Sequence, residues 1–303
     1  MFTTPVHIAH AEREITYQDK IFLLGSCFTE NISQKMREAY FQVSSNPFGI
    51  LYNPLSIAQC IELLLVETCN LPPFVFHNGL WHSMLHHGDF SCADKQEFEQ
   101  KIADSIVSGR KAIQEATVVI VTFGTAWVYE QDGKVTGNCH KLPADCFTRR
   151  RLSVEEIVNK WQEILSMPAM QGKHVIFTVS PIRHLKDGLH DNQLSKATLL
   201  LACEALPEYF PSYEIVLDEL RDYRFYQDDM LHPSNTAIDY IWQRFAETYF
   251  PESTRREMQP LQQLYRDRHH RPLHPDTEEY RRFMQQTEEK TRALAKRYPW
   301  ICN

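Results

Sequence analysis

Lys20-Ile21-Phe22-Leu23-Leu24-Gly25-Ser26-Cys27-Phe28 is the stretch that decides the fold. A short apolar run closed by glycine reads as a strand buried on both faces. Phe28, Ile32 and Met36 then recur at i, i+4 spacing, so a helix starts directly after the turn. A strand that feeds a helix through so short a turn opens a βα unit, and repeated βα units build a parallel sheet.

The pattern repeats outward from there. Residues 40–45 are β-rich and are followed by the turn Asn46-Pro47-Phe48-Gly49. Pro54 opens a helix carrying Ile57, Ile61, Leu64 and Leu65. Residues 117–123 form the clearest strand and also end in glycine, at Gly124. A hairpin around Asp132-Gly133 is expected next, then a helix capped by Ser153 and Glu156. Strands over 173–180 and 212–217, a helix over 192–206, and a helix started by Pro233 complete the series. These elements predict an α/β fold with a parallel sheet of about five strands, covered by helices on both faces. Residues 1–250 then form the main domain. Residues 251–303 form a polar helical extension, too thinly apolar to hold a core alone, with a capping box at Asp276/Glu279 and a stripe through Tyr280, Phe283, Thr287, Leu294 and Tyr298.

Composition narrows the function. The net charge of −7 offers no footprint for nucleic acid, and no apolar stretch is long enough to span a membrane. Eight cysteines without a C-x-x-C pair read as reduced thiols, and no secretory leader is evident, so a cytoplasmic location is expected. No phosphate-binding glycine motif occurs. His77, His82, His86, His87 and Asp89 form a dense cluster, but its asparagine and glycines suggest a loop that lines or lids a crevice rather than a metal site. No metal or other cofactor is expected.

In open parallel sheets the reactive crevice lies beyond the carboxyl ends of the strands. Gly25-Ser26-Cys27, Asn46–Gly49, Gly124-Thr125-Ala126-Trp127 and Ser180-Pro181-Ile182-Arg183-His184 all fall at such ends. A nucleophile in the first of these would sit at a helix N-terminus, where free N–H groups favour developing negative charge. The same glycine serves equally well a tight turn with no chemistry. Asp229-Met230-Leu231-His232 places a carboxylate within reach of one imidazole nitrogen, leaving the other as a base. Asp187/His190 and Asp267/His270 share this spacing, and the last reads as a solvated face. Only Asp229/His232 follows the last strand. Arg183 is a candidate clamp for a carboxylate or phosphate, or a partner of Asp187. Ser195 and Lys196 are candidate supports, with Lys196 read as helix surface.

The runs Leu24–Asn31, Asn46–Pro54, Gly124–Tyr129, Asn138–Lys141, Ser180–His184 and Leu231–Pro233, in this order, resemble the GSCFA family, a branch of the SGNH (GDSL-like) hydrolase superfamily. The likeness covers roughly residues 1–250. It implies a flavodoxin-like three-layer α/β/α fold and a nucleophile–His–Asp site for esters, with a small-molecule or carbohydrate-borne substrate. In the superfamily's Gly-Asp-Ser the nucleophile stands two residues after the glycine. In register that slot is Cys27, with Ser26 in the aspartate's place. The superfamily's Gly-x-Asn oxyanion motif is broken, because Ala126 stands where the asparagine is expected. Thr125, Asn46 or Asn138 is then the expected substitute donor, and the Gly49 N–H fits the second oxyanion glycine by order. His184 faces the same crevice as a substrate-binding candidate. The reading implied is an esterase or deacylase in which Cys27 or Ser26 attacks, His232 is the base and Asp229 orients it. An acyltransferase, or a ligand-binding protein that has lost turnover, is the alternative.

Overall fold

The computed structural model describes residues 3–66 and 71–302. The strands are β1 (Lys20–Gly25), β2 (Gln42–Ser45), β3 (Phe74–His77), β4 (Leu80–Ser83), β5 (Val118–Phe123), β6 (Trp127–Gln131), β7 (Lys134–Val135), β8 (Thr148–Arg151), β9 (His174–Val179) and β10 (Tyr209–Phe210). The helices are α1 (Cys27–Glu38), α2 (Pro54–Leu65), α3 (Lys95–Glu115), α4 (Val154–Ser166), α5 (Leu189–Glu204), the single turn α6 (Ser212–Glu214), α7 (Asn235–Tyr249), α8 (Glu252–Arg268) and α9 (Glu278–Ala295).

Five strands form one parallel sheet in the order β10-β9-β5-β1-β2. Counting only these five along the chain, the order is 2-1-3-4-5, the flavodoxin-like arrangement. Its topological switch lies between β1 and β5. Residues alternate across the sheet, as strand geometry requires. Phe22, Leu24, Val119, Val121, Phe123, Val175 and Phe177 face one core, which α2, α3, α4 and α5 cover. Ile21, Leu23, Val118, Ile120 and Ile176 face the other, covered by α1, α7 and α8. Each such side chain contributes roughly 1.5–3 kcal/mol on burial, so the two layers together fix the register.

The tail joins the second core. Met258, Leu261 and Leu264 of α8, with Tyr298 and Ile301, are buried in it. Tyr17 stacks on Phe41 with ring centroids 4.3 Å apart and lies 5.0 Å from Tyr298, so the start and end of the chain share one aromatic cluster.

Several local expectations need correction. The run Ile215-Val216-Leu217 is helical, not strand, and the edge strand is β10 just before it. Burial of Ser212, Tyr213, Ile215, Val216 and Glu219 follows a helical period, which overrides the β-branched pair. The helix after Pro233 begins at Asn235 with Ser234 as its cap. Thr277, not Asp276, caps α9, accepting from the Tyr280 N–H at 3.3 Å. Asp267 is no solvated face. It is buried between Gln263 and Lys290, 3.0 Å from the lysine.

The Ser153/Glu156 capping box is present. Asp132 and Gly133 both take positive φ in the β6–β7 turn, as a two-residue hairpin requires. The histidine-rich segment includes a second hairpin, β3–β4, turned at Asn78-Gly79. Seven cysteines among the described residues are free thiols, and Cys69 lies outside those residues. No helix among the described residues is long and apolar enough to cross a membrane.

Candidate active site

The β1–α1 turn lies at the topological switch, and glycine is required there for two reasons. Gly25 has φ +143°, and a Cβ on it would meet the Thr122 carbonyl oxygen of β5 at 2.3 Å. The close approach of β1 and β5 puts Ser26 and Cys27 at the mouth between them. Ser26 is buried and caps α1, its hydroxyl accepting from the Phe28 N–H at 3.3 Å. Cys27, the first residue of the helix, is half-buried. Its sulfur lies 3.8 Å from His232 Nε2. The cysteine thus faces the imidazole, and the serine holds the helix end.

His232 reaches the crevice on a loop between β10 and α7. Asp229 shapes that loop and orients the ring at once. Its Oδ1 accepts from the Leu231 and His232 N–H groups at 2.8 and 3.0 Å, while Oδ2 lies 2.6 Å from His232 Nδ1. A carboxylate can only accept, so Nδ1 donates to it, and Nε2 is the ring nitrogen turned toward the Cys27 sulfur. The His232 amide, then the Leu231 amide and the ring, hold the Asp229 carboxyl down at about 2. Gln227 N–H donates to the His232 carbonyl at 2.7 Å, and Arg183 N–H to the Leu231 carbonyl at 3.2 Å.

Burial pushes the Cys27 thiol up, against the lowering pull of the Cys27 and Phe28 amides and of Lys196. The resting group is therefore a thiol in need of a base rather than a preformed thiolate.

The other expected site residues fall less simply. Asn46 has a structural role: its side-chain oxygen accepts from the Gly25 N–H at 2.9 Å, and its amide nitrogen donates to Glu30, which ties the group to α1. The Gly49 N–H is likewise committed, donating to the Asn46 carbonyl at 2.7 Å. Gly49 is needed for its φ of +75° and because a Cβ would meet His87 Cβ at 2.4 Å. Thr125 is tied into its own loop, 3.0 Å from Ser195 Oγ and accepting from the Trp127 N–H. Asn138 Oδ1 accepts from the His140 N–H at 2.9 Å, and the residue has no hydrogen bond to the Cys27 group. Ala126 is fully buried, so an amide at that position would point into the core rather than the crevice.

Arg183 donates to the Met230 carbonyl at 3.3 Å and lies 5.5–5.7 Å from the rings of Tyr223 and Tyr226. It fastens the His232 loop. It also lines a cavity of about 220 Å³ with Pro181, Tyr213, Tyr223 and Tyr226, a space that neither Cys27 nor His232 borders. Its expected alternative partner, the Asp187 side chain, lies outside the described residues. His184 sits at the crevice, 6.0 Å from the Tyr52 ring, with its Nε2 buried and unpartnered. Burial first, then Lys196, lowers its ring to about 4, so it is neutral near pH 7.

The histidine cluster is a packed network. His86 binds Ser83 at 2.8 Å and Ser105 at 3.1 Å, and His82 stacks on His140. Among the described residues no group of three or more His, Cys, Asp or Glu is placed to hold a metal ion.

Lys196 is not the surface residue its charge suggests. It is 1% exposed, and its Nζ donates to the Gly124 and Ser180 carbonyls at 2.7 Å each, not to solvent. The pattern that shows this is the α5 stripe Asn192, Ser195, Lys196, Leu199, Ala202, Cys203, in which the lysine occupies a core position.

Fold and geometry define a three-layer α/β protein with a cysteine–histidine–aspartate group at the switch point of its parallel sheet. The chain belongs to the GSCFA family, whose model matches residues 20–245. A second model, for the C-terminal domain of GSCFA domain proteins, matches residues 261–302. No curated protein and no solved structure gives a match.

Proposed function

We propose that the chain is an acyl-transfer enzyme of the SGNH type, acting as an esterase or deacylase on a small or carbohydrate-borne ester. The observation that carries this reading is the unbroken line from Asp229 Oδ2 through His232 to Cys27 Sγ, with steps of 2.6 and 3.8 Å. Cys27 Sγ attacks the ester carbonyl while its proton passes to His232 Nε2. The tetrahedral oxyanion forms beside the first amides of α1, where the helix dipole favours negative charge. Collapse expels the alcohol, which takes the proton from Nε2 and leaves a thioester on Cys27. Water then attacks, gives its proton to Nε2, and releases the acid as the thiol reforms. Water can reach the thioester because the His232 side chain is 39% exposed. An alcohol or amine in its place makes the same site an acyltransferase.

The test is release of nitrophenolate from p-nitrophenyl acetate by the full chain and by Cys27→Ala. Turnover that vanishes in the variant supports the assignment. Turnover that persists unchanged removes Cys27 from the chemistry.

A further inference from the structure

Lys196 is a cation buried without an anionic partner of the usual kind. Among the described residues no carboxylate makes an ion pair with it. Its two hydrogen bonds run to the carbonyls that end β5 and β9, Gly124 O and Ser180 O. Gly124 in turn packs on the nucleophile turn: a Cβ built on it would lie 3.4 Å from Ser26 Cβ. The ammonium group is thereby fixed under the crevice floor by two strands that cannot move independently. A buried charge of this kind is costly unless something compensates it.

Burial lowers the Lys196 ammonium against the opposing pull of the Cys27 charge, and burial raises the Cys27 thiol against the opposing pull of Lys196. The other titratable neighbours do not compensate it. His184, on the loop after β9, is neutral, and the Tyr213 ring from α6 lies 5.7 Å from Nζ. Glu30 on α1 bears on Cys27 with the opposite sign, and Tyr52 and His232 complete the ring of ionisable groups around the sulfur.

We propose that Lys196 is the built-in counter-charge of the Cys27 thiolate, a positioning residue that also ties the ends of β5 and β9 around it. The proposal rests on the reading of Cys27 as nucleophile. When His232 removes the thiol proton, the negative sulfur forms at the helix N-terminus beside Ser26, the residue against which Gly124 packs, and Gly124 carries the carbonyl that holds Lys196 Nζ. Burial lowers the lysine to about 7, and the thiolate opposes that loss. The pair therefore holds its proton on the nitrogen when the sulfur is charged.

The coupling is reciprocal and can be read from either side. In the full chain, ¹³Cε NMR of labelled lysine follows Lys196 through a pH titration, with Cys27→Ala as comparison. Lys196 is expected to stay protonated to higher pH in the native chain than in Cys27→Ala. Superimposable titrations overturn the proposal. From the other side, iodoacetamide alkylates Cys27 by displacement of iodide from carbon by the thiolate, and peptide mass spectrometry locates the product. Lys196→Met is expected to move the alkylation profile about one pH unit higher, which slows alkylation about tenfold at pH 7. A purely structural lysine would leave the profile of the folded variant unmoved, and that result also overturns the proposal. If Lys196→Met does not fold, the NMR comparison still decides. Neither measurement uses an acyl substrate, so coupling without thioester formation retains Lys196 and rejects acyl transfer, and the converse is equally visible.

Discussion

The two halves of the site are built in opposite ways. The Cys27 half rests on buried supports, with a glycine that admits no side chain, a capped helix and a lysine locked between strand ends. The Asp229/His232 half is exposed, with side chains 43% and 39% accessible, and depends on hydrogen bonds within and around one loop. Rigid strand ends thus aim the nucleophile. A self-capped loop brings the base, and such loops are the more mobile parts of a protein. Chemistry at the first half should be all or nothing, and chemistry at the second half graded.

Substitution at Cys27 is the sharpest way to break this comparison. Cys27→Ala is expected to lose all labelling by an electrophilic thiol probe at this peptide and all ester turnover. Full activity in that variant would dissolve the distinction. On the exposed half, His232→Ala should lower turnover by about 10²–10⁴. Asp229→Asn should cost less, roughly tenfold to a hundredfold, because a screened pair orients the ring less strongly than a buried one. Steady-state kinetics with the two variants would reverse the comparison if Asp229→Asn proved the more damaging. The carboxylate is held at about 2, so the activity profile should show no Asp229 ionisation above roughly that pH.

Stability offers a third contrast. Burial lowers His86 to about 3 from its ordinary 6.5. Between those values the unfolded chain binds a proton that the folded chain refuses. Stability therefore falls as pH drops through that window, by about 1.4 kcal/mol per pH unit from this group. Urea melts of the native chain and His86→Gln should show a shallower acid slope in the variant. The smallest effect is expected at Ser26. Ser26→Ala should leave thiol labelling intact and cost about 1 kcal/mol through loss of the helix cap. Loss of catalysis without loss of stability would make the hydroxyl a chemical group after all.

Much of the frame was legible because its signals are local. The runs 20–25, 117–123 and 173–180 each carry enough apolar residues for burial on both faces, and Ser153/Glu156 caps its helix through neighbours in sequence. The turn Gly25-Ser26-Cys27 is local in the same way, whereas Asp229/His232 shares its spacing with Asp187/His190 and Asp267/His270 and was singled out by its place along the chain. The assignments that changed depend on partners far along the chain. Asn46 is committed to Gly25 and Glu30, and Gly49 makes room for His87. Neither partnership has a mark in local spacing. Lys196 was hidden by its charge, which suggests surface, although its helical period placed it among Leu199, Ala202 and Cys203. The run 212–217 misled because its β-branched residues obscured a helical burial period.

The acyl-enzyme itself tests the central claim most directly. Full-length chain mixed with p-nitrophenyl acetate, quenched in acid and mapped by peptide mass spectrometry should carry one acetyl group on Cys27 as a thioester labile to hydroxylamine. An acetyl group on Ser26 instead, or none on the Gly25-Ser26-Cys27 peptide while nitrophenolate is released, would contradict the account.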